Sequence, residues 1–179
     1  MVENRGRGLR YAVFGTKWGY FGLCGGESGL FRTCLPVGSR SEAEVRLLAG
    51  LGAKAREDKG YLGEVQGLVR AYFEGVCVEF GRDIVIDWRG VSGFGRVVLE
   101  GCRGVRYGQT ISYGELAERL GRRGAGRAVG RVLGSNRLPL VIACHRVICA
   151  DGRVGGYSAG GGSDLKRRLL LMEKSGVRI

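Results

Sequence analysis

The run Pro139-Leu140-Val141-Ile142-Ala143-Cys144-His145-Arg146-Val147-Ile148 sets a cysteine beside the only histidine of the chain, with an arginine next in line. Cationic neighbours lower a thiol's pKa from its free value of about 8.5, and a thiolate with a base at hand is an activated nucleophile. The segment therefore predicts covalent chemistry at Cys144. Successive side chains of an extended segment point to opposite faces, so an extended stretch here needs a water or a bend between Cys144 and His145. His145 in turn needs an acceptor to fix its tautomer, and the carboxylates near the end of the chain, chiefly Glu173, can supply it. For an isolated Cys-His pair the commoner reading is a buried structural cysteine with a chance neighbour. The cysteines at 24, 34, 77, 102, 144 and 149 form no C-x-x-C pair. With a single histidine beside them they do not resemble a zinc cluster, so no metal is predicted.

The elements that must hold this segment are mostly helical. Ser112-Tyr113-Gly114-Glu115 is a capping box that opens a helix through Leu120, and Gly124 to Leu133 forms another after a turn at Arg122 and Arg123. The pair reads as a helix-turn-helix. Phe94, Val97, Val98 and Gly101-Cys102 give a short helix ahead of it. Leu140 to Ile142 and Val147 to Cys149 add extended pieces, and Ser163 caps a final helix carrying Leu165, Leu169, Leu170 and Glu173. Glycines at 124, 126 and 130 would each cost a helix interior roughly 1 kcal/mol. Close approach to another surface would offset that cost. That surface is either the protein's own core or, given the arginines alongside, the narrow minor groove of duplex DNA.

The first half has a different pattern. Short apolar runs such as Leu9 to Phe14 and Tyr20 to Cys24, split by glycine-rich turns, predict hairpin-linked strands. A helix follows with Ser41 as N-cap and Glu44 closing a capping box, then a second over about Leu62 to Phe73. Val76 to Phe80 and Ile84 to Trp88 read as closing strands or a linker, which places the domain boundary near Trp88, with domains 1–88 and 89–179.

Charge falls unevenly on these halves. The 179 residues carry a net charge of +12, of which residues 1–90 contribute +2 and residues 91–179 contribute +10. The partner of the second half is expected to be a polyanion. With 44% hydrophobic residues the chain can bury an ordinary core. No apolar run approaches the roughly 18 residues of a membrane span, and no signal peptide opens the chain, so an unexported, cytoplasmic protein without a membrane partner is expected. Reduced thiols are the default there. Two Gln, two Asn and 24 arginines hint at heat adaptation, under which a Cys24–Cys34 disulfide is conceivable.

The motifs, taken in order, resemble the O6-alkylguanine-DNA alkyltransferases. Ile111-Ser112-Tyr113-Gly114-Glu115-Leu116-Ala117, Arg127-Ala128-Val129-Gly130, Asn136, Cys144-His145-Arg146-Val147 and Val154-Gly155-Gly156-Tyr157-Ser158 carry the likeness over about residues 94–174. The resemblance implies an α+β protein. Its N-terminal domain would be a ribonuclease-H-like small sheet with helices, and its C-terminal domain a helical, winged helix-turn-helix. The implied reaction is irreversible transfer of an alkyl group from O6 of guanine, less so O4 of thymine, to Cys144, once per molecule and without a cofactor. His145, held by Glu173, would deprotonate Cys144 through a water. Tyr113 would rotate a phosphate and hydrogen-bond the departing guanine, and Arg127 would fill the gap left by the flipped base. Asn136 and Pro139 would form the bend into the active-site segment. Tyr157 and Ser158 would wall the pocket, while Ala125, Gly126, Gly130 and Val147 complete the surface toward DNA and base. The implied partner is double-stranded DNA containing O6-alkylguanine, with no obligate protein partner.

The pattern departs at Ala143 and Arg137, where the family commonly has prolines, and in a loop after Tyr157 that is about two residues longer than usual. Three other readings compete. A non-catalytic lesion-binding protein would lack the acceptor cysteine that is present at 144. A cysteine hydrolase leaves the basic helix-turn-helix without a role. A transcriptional regulator would prefer one operator sequence.

Overall fold

The computed structural model describes residues 8–51 and 55–176. The chain divides into two compact units, Met1–Glu74 with Phe80–Asp87, and Gly75–Glu79 with Trp88–Ile179. Together they make a mixed α+β protein.

In the first unit β1 (Arg10–Thr16), β2 (Gly19–Gly26) and β3 (Gly29–Val37) form an antiparallel meander, joined by two-residue turns as the glycine spacing predicts. Gly29 adopts φ +116°, and a Cβ there would lie 2.5 Å from the Val85 carbonyl, so the turn accepts only glycine. β4 (Arg56–Glu57) pairs in parallel with β1, giving the order β3-β2-β1-β4. Its two residues are too few to show any periodicity in sequence. Helices α1 (Arg40–Leu48) and α2 (Gly63–Phe73) pack on the sheet, and Phe21, Tyr72 and Phe73 lie in the core.

The cap of α1 is Ser39, whose Oγ accepts the Glu42 N–H at 3.2 Å, and not Ser41. Starting two residues early brings Arg40 into the first turn, where its guanidinium donates to the Val13 carbonyl at 2.7 Å and pairs with Glu44 and Glu57. Ile86 bridges Leu30 at the sheet, while residues 75–79 belong to the second unit. Cys24 and Cys34 are both free. The register sets Cys24 opposite Arg32 and Cys34 opposite Gly22, so the two thiols do not face each other across the strands.

The second unit contains α3 (Gly93–Arg103), β5 (Ile111–Ser112), α4 (Tyr113–Arg119), α5 (Gly126–Gly134), β6 (Val147–Ile148) and α6 (Gly162–Ser175). The capping box at Ser112 and Glu115 is present in full. Helices α3, α4 and α5 pack on one another through Val98, Leu99, Leu116, Ala117, Val129 and Leu133, all buried. β5 and β6 pair in parallel, tying the start of α4 to the segment after Cys144.

Three local expectations change. Leu140 and Val141 form a turn in place of an extended piece, and Cys144–Arg146 form one 3-10 turn, the bend called for between Cys144 and His145, with the Arg146 N–H bonded to the Ala143 carbonyl at 2.9 Å. The cap of α6 is Gly161 at φ +99°, and Ser163 sits inside the helix, donating to the Gly155 carbonyl at 3.2 Å. Of the three glycines weighed above, Gly124 lies outside α5 at φ +81° and Gly126 is its first residue. Only Gly130 bears the helix-interior cost.

Candidate active site

The site is built by three elements of the second unit converging on the 3-10 turn. α5 ends at Gly134, and Asn136 two residues later turns the chain toward Cys144. The Asn136 amide donates to the Ile142 carbonyl at 3.0 Å and to Cys144 Sγ at 3.1 Å, and its Oδ1 accepts the Leu138 N–H at 3.0 Å. One side chain thus fixes both the bend and the sulfur. Within the bend Leu140 adopts φ +78°, a left-handed conformation that costs a non-glycine residue of order 1 kcal/mol and is offset here by complete burial of its side chain. Pro139 bridges Ile142 beside it, and Arg137 donates to the Arg89 carbonyl at 2.8 Å.

Behind the thiol lies a buried ion cluster. His145 Nε2 is 2.7 Å from Glu173 Oε1, and both side chains are shielded from solvent. Interaction with His145 and Arg146 holds the Glu173 carboxyl down at about 2, against the burial that opposes it. An ionised carboxylate only accepts, so the neutral imidazole carries its proton on Nε2 and leaves Nδ1 as its basic nitrogen. Burial, with help from Arg146 and Lys166, pushes the His145 pKa below its usual value and keeps the ring neutral, although Glu173 pulls the other way.

Arg146 does not acidify the thiol as its place in the sequence suggests. The 3-10 turn directs it away from Cys144, and its guanidinium grips both oxygens of Glu173 at 3.0–3.2 Å and the Val105 carbonyl at 2.6 Å. Burial pushes the Cys144 thiol up. The Asn136 amide, the Tyr157 hydroxyl and the Lys166 charge act against that shift.

Lys166 is the residue that sequence reasoning missed. In Asp164-Leu165-Lys166-Arg167-Arg168 it looks like one more solvated charge, yet it is 1% exposed. Its ammonium donates to the Val147 carbonyl at 2.7 Å and reaches the Tyr113 hydroxyl at 3.4 Å. It also lies 5.7 Å from the Tyr113 ring centre and 5.9 Å from that of Tyr157. The signal in sequence was helical spacing: Leu165, Lys166, Leu169 and Glu173 fall on the buried face of α6.

A pocket of about 350 Å³ opens over the sulfur, lined by Tyr113, Cys144, Tyr157, Ser158 and Lys166, with Gly130, Gly134 and Gly156 leaving room. Of the expected site residues, Cys144, Tyr113, Gly130, Tyr157 and Ser158 therefore share one cavity, with His145, Glu173 and Asn136 packed behind or beside it. Arg127 is exposed on the first turn of α5, and Ala125 and Gly126 begin that helix. None of these three lines the cavity. Val147 is buried in β6, where its carbonyl and not its side chain serves the site.

The arrangement defines a protein that presents one buried thiol to an open pocket, with a neutral imidazole held by an ionised carboxylate behind it. Residues 93–175 match the family described as 6-O-methylguanine DNA methyltransferase, DNA binding domain. The methylated-DNA--protein-cysteine methyltransferase of Mycolicibacterium paratuberculosis is 47% identical over 116 residues, covering 65% of this chain and 67% of that protein. Its namesake in Methanosarcina acetivorans is 32% identical over 167 residues, 93% of this chain and 99% of the other. Among solved structures, the Mycobacterium tuberculosis O6-methylguanine methyltransferase matches with a TM-score of 0.75 at 33% identity over 94% of both chains. The M. tuberculosis OGT in complex with DNA matches at 0.72 and 35% identity over 93% of both. The chain belongs to the methylated-DNA--protein-cysteine methyltransferase family.

Proposed function

We propose that this chain repairs double-stranded DNA by moving an alkyl group from O6 of guanine, and less readily from O4 of thymine, onto Cys144. The observation that carries the reading is the Cys144 sulfur at the floor of the pocket, bonded to Asn136 and backed by the His145–Glu173 pair. The thiol proton passes to His145 Nδ1 through a water, and the sulfur attacks the alkyl carbon. As the S–C bond forms the C–O6 bond breaks, and its electron pair leaves with guanine. Tyr113 donates a proton to the departing ring, and the Lys166 ammonium beside its hydroxyl stabilises the charge left behind. Ser158 at the pocket wall supports O6. The product is a thioether, which thiol exchange does not reverse, so each molecule acts once.

Reaching O6 requires extrusion of the nucleotide, at a cost of a few kcal/mol that damage itself lowers. Arg127 fills the vacated stack, and the small residues Ala125, Gly126 and Gly130 let α5 approach the minor groove. In this reading the first unit is a ribonuclease-H-like domain within residues 1–88, apart from the segment Gly75–Glu79, and the second a winged helix-turn-helix of residues 89–179 joined by that segment. The protein works in the cytoplasm and needs no obligate protein partner.

The test is a duplex carrying O6-methylguanine labelled in the methyl group. Label is expected to become covalently attached to wild-type protein and not to Cys144→Ser, while both bind the duplex alike. Tight binding with no label on the wild type would identify a lesion-binding protein instead, and label released as free methanol would identify a hydrolase.

A further inference from the structure

Behind the His145–Glu173 pair the buried charges continue, and the transfer chemistry above leaves them unused. Arg146 is 3% exposed, an expensive place for a guanidinium unless every donor is engaged. Its Nε and Nη2 span both Glu173 oxygens, Nη1 donates to the Val105 carbonyl at 2.6 Å, and the group sits 5.7 Å from the Tyr107 ring centre. Nη1 is also 3.7 Å from Glu79, whose other oxygen accepts the Tyr107 N–H at 2.8 Å. The Gly108 N–H donates to Glu173 Oε2 at 3.0 Å. Glu79 lies outside the matched residues 93–175, on the short segment Gly75–Glu79 that precedes the rest of the unit.

We propose that Arg146 is a positioning residue for alkyl transfer, its forked grip holding Glu173 as a fixed acceptor for the His145 Nε2 proton, with Glu79 closing the grip from residues 75–79. The proposal rests on His145 serving as the base. Arg146 acts through charge as well as shape: it favours ionised Glu173 and disfavours a protonated ring, so that Nδ1 stays available. The other groups facing the cluster are Lys166 from α6, Cys102 from α3, Cys144 from the 3-10 turn, Tyr157 from the loop before α6, Tyr107 from the stretch before β5, and Cys77 with Glu79 from residues 75–79. Among these only Lys166 adds a second cation. Removing Arg146 therefore leaves Glu173 drawing a proton onto the imidazole with less opposition.

The chain has one histidine, so protein labelled with nitrogen-15 at histidine gives the signals of a single imidazole. In the wild type the ring is expected to stay neutral and protonated at Nε2 down to the onset of acid unfolding. Arg146→Gln, which keeps hydrogen-bond donors and loses the charge, is expected to gain the imidazolium proton with a midpoint at least about one pH unit higher. The acid limb of the single-turnover rate should move with it. Arg146→Lys keeps a cation but not the fork. It is expected to hold the ring neutral while the rate falls about tenfold. An unshifted ring in Arg146→Gln, or a ring in Arg146→Lys that titrates as in Arg146→Gln, would overturn the proposal. If Arg146→Gln fails to fold, Arg146→Lys decides through its rate: a tenfold loss with the ring still neutral supports the grip, and an unchanged rate overturns it. A shifted ring with an unmoved rate limb would show that Arg146 has no part in the transfer. Absence of transfer from wild type whose ring behaves as expected would fall on the proposed function and not on the grip.

Discussion

At the scale of single residues, burial pushes the Cys144 thiol up while the Asn136 amide, the Tyr157 hydroxyl and the Lys166 charge act against it, so the proposed transfer needs a base and a donor together. Asn136 makes three hydrogen bonds, one of them to the sulfur. Asn136→Ala is expected to lower stability by about 2 to 3 kcal/mol in denaturant melts, because buried carbonyl and amide groups lose their partners. It should also slow transfer at neutral pH at least tenfold and move the rate's basic limb upward, since the thiolate loses a donor. An unchanged pH–rate profile would show that Asn136 serves the bend alone. Cys144, His145 and Glu173 were legible in the sequence because their chemical types are rare in an apolar run and complement one another. Arg146 and Lys166 were not read correctly. A residue's neighbour in sequence is not its neighbour in space across a 3-10 turn, and one buried lysine among solvated arginines differs from them only in helical phase.

At the scale of elements, the capping box of α4 and the apolar faces of α3, α4 and α5 were readable because each follows from local rules. The caps of α1 and α6 were displaced by contacts that sequence does not show, Arg40 with the Val13 carbonyl and Ser163 with the Gly155 carbonyl. The same holds for β4, held by pairing with β1 alone. Gly130 is the instructive position. A Cβ there would meet the Tyr113 ring at 3.7 Å, an ordinary contact, so the fold does not require glycine. Gly130→Ala is expected to raise stability by about 0.5 to 1 kcal/mol in urea titrations. It should also slow transfer, because the methyl group enters the pocket beside Tyr113. A faster or unchanged rate would show that the glycine serves neither packing nor transfer.

Across the whole molecule, the buried ion cluster links stability to pH. Glu173 titrates at about 2 in the folded chain against an ordinary 4.5, so its contribution is complete above pH 4.5 and is lost as pH falls toward 2. His145 is held neutral, its pKa below the ordinary 6.5, so its contribution is complete above 6.5 and declines as the pH drops through its lowered folded value. The melting temperature is therefore expected to be flat with respect to these groups above pH 6.5 and to fall in two stages on the acid side. Glu173→Gln should flatten the lower stage. An acid limb identical in Glu173→Gln would contradict the assignment of that stage to this carboxyl.

Whether Cys144 is a sacrificial acceptor is decided by titrating the protein with duplex containing O6-methylguanine and mapping the modified peptide. A plateau of one methyl group per molecule is expected, all of it on the peptide that contains Cys144. Continued demethylation beyond one equivalent, or a methyl group recovered on any other residue, would contradict it.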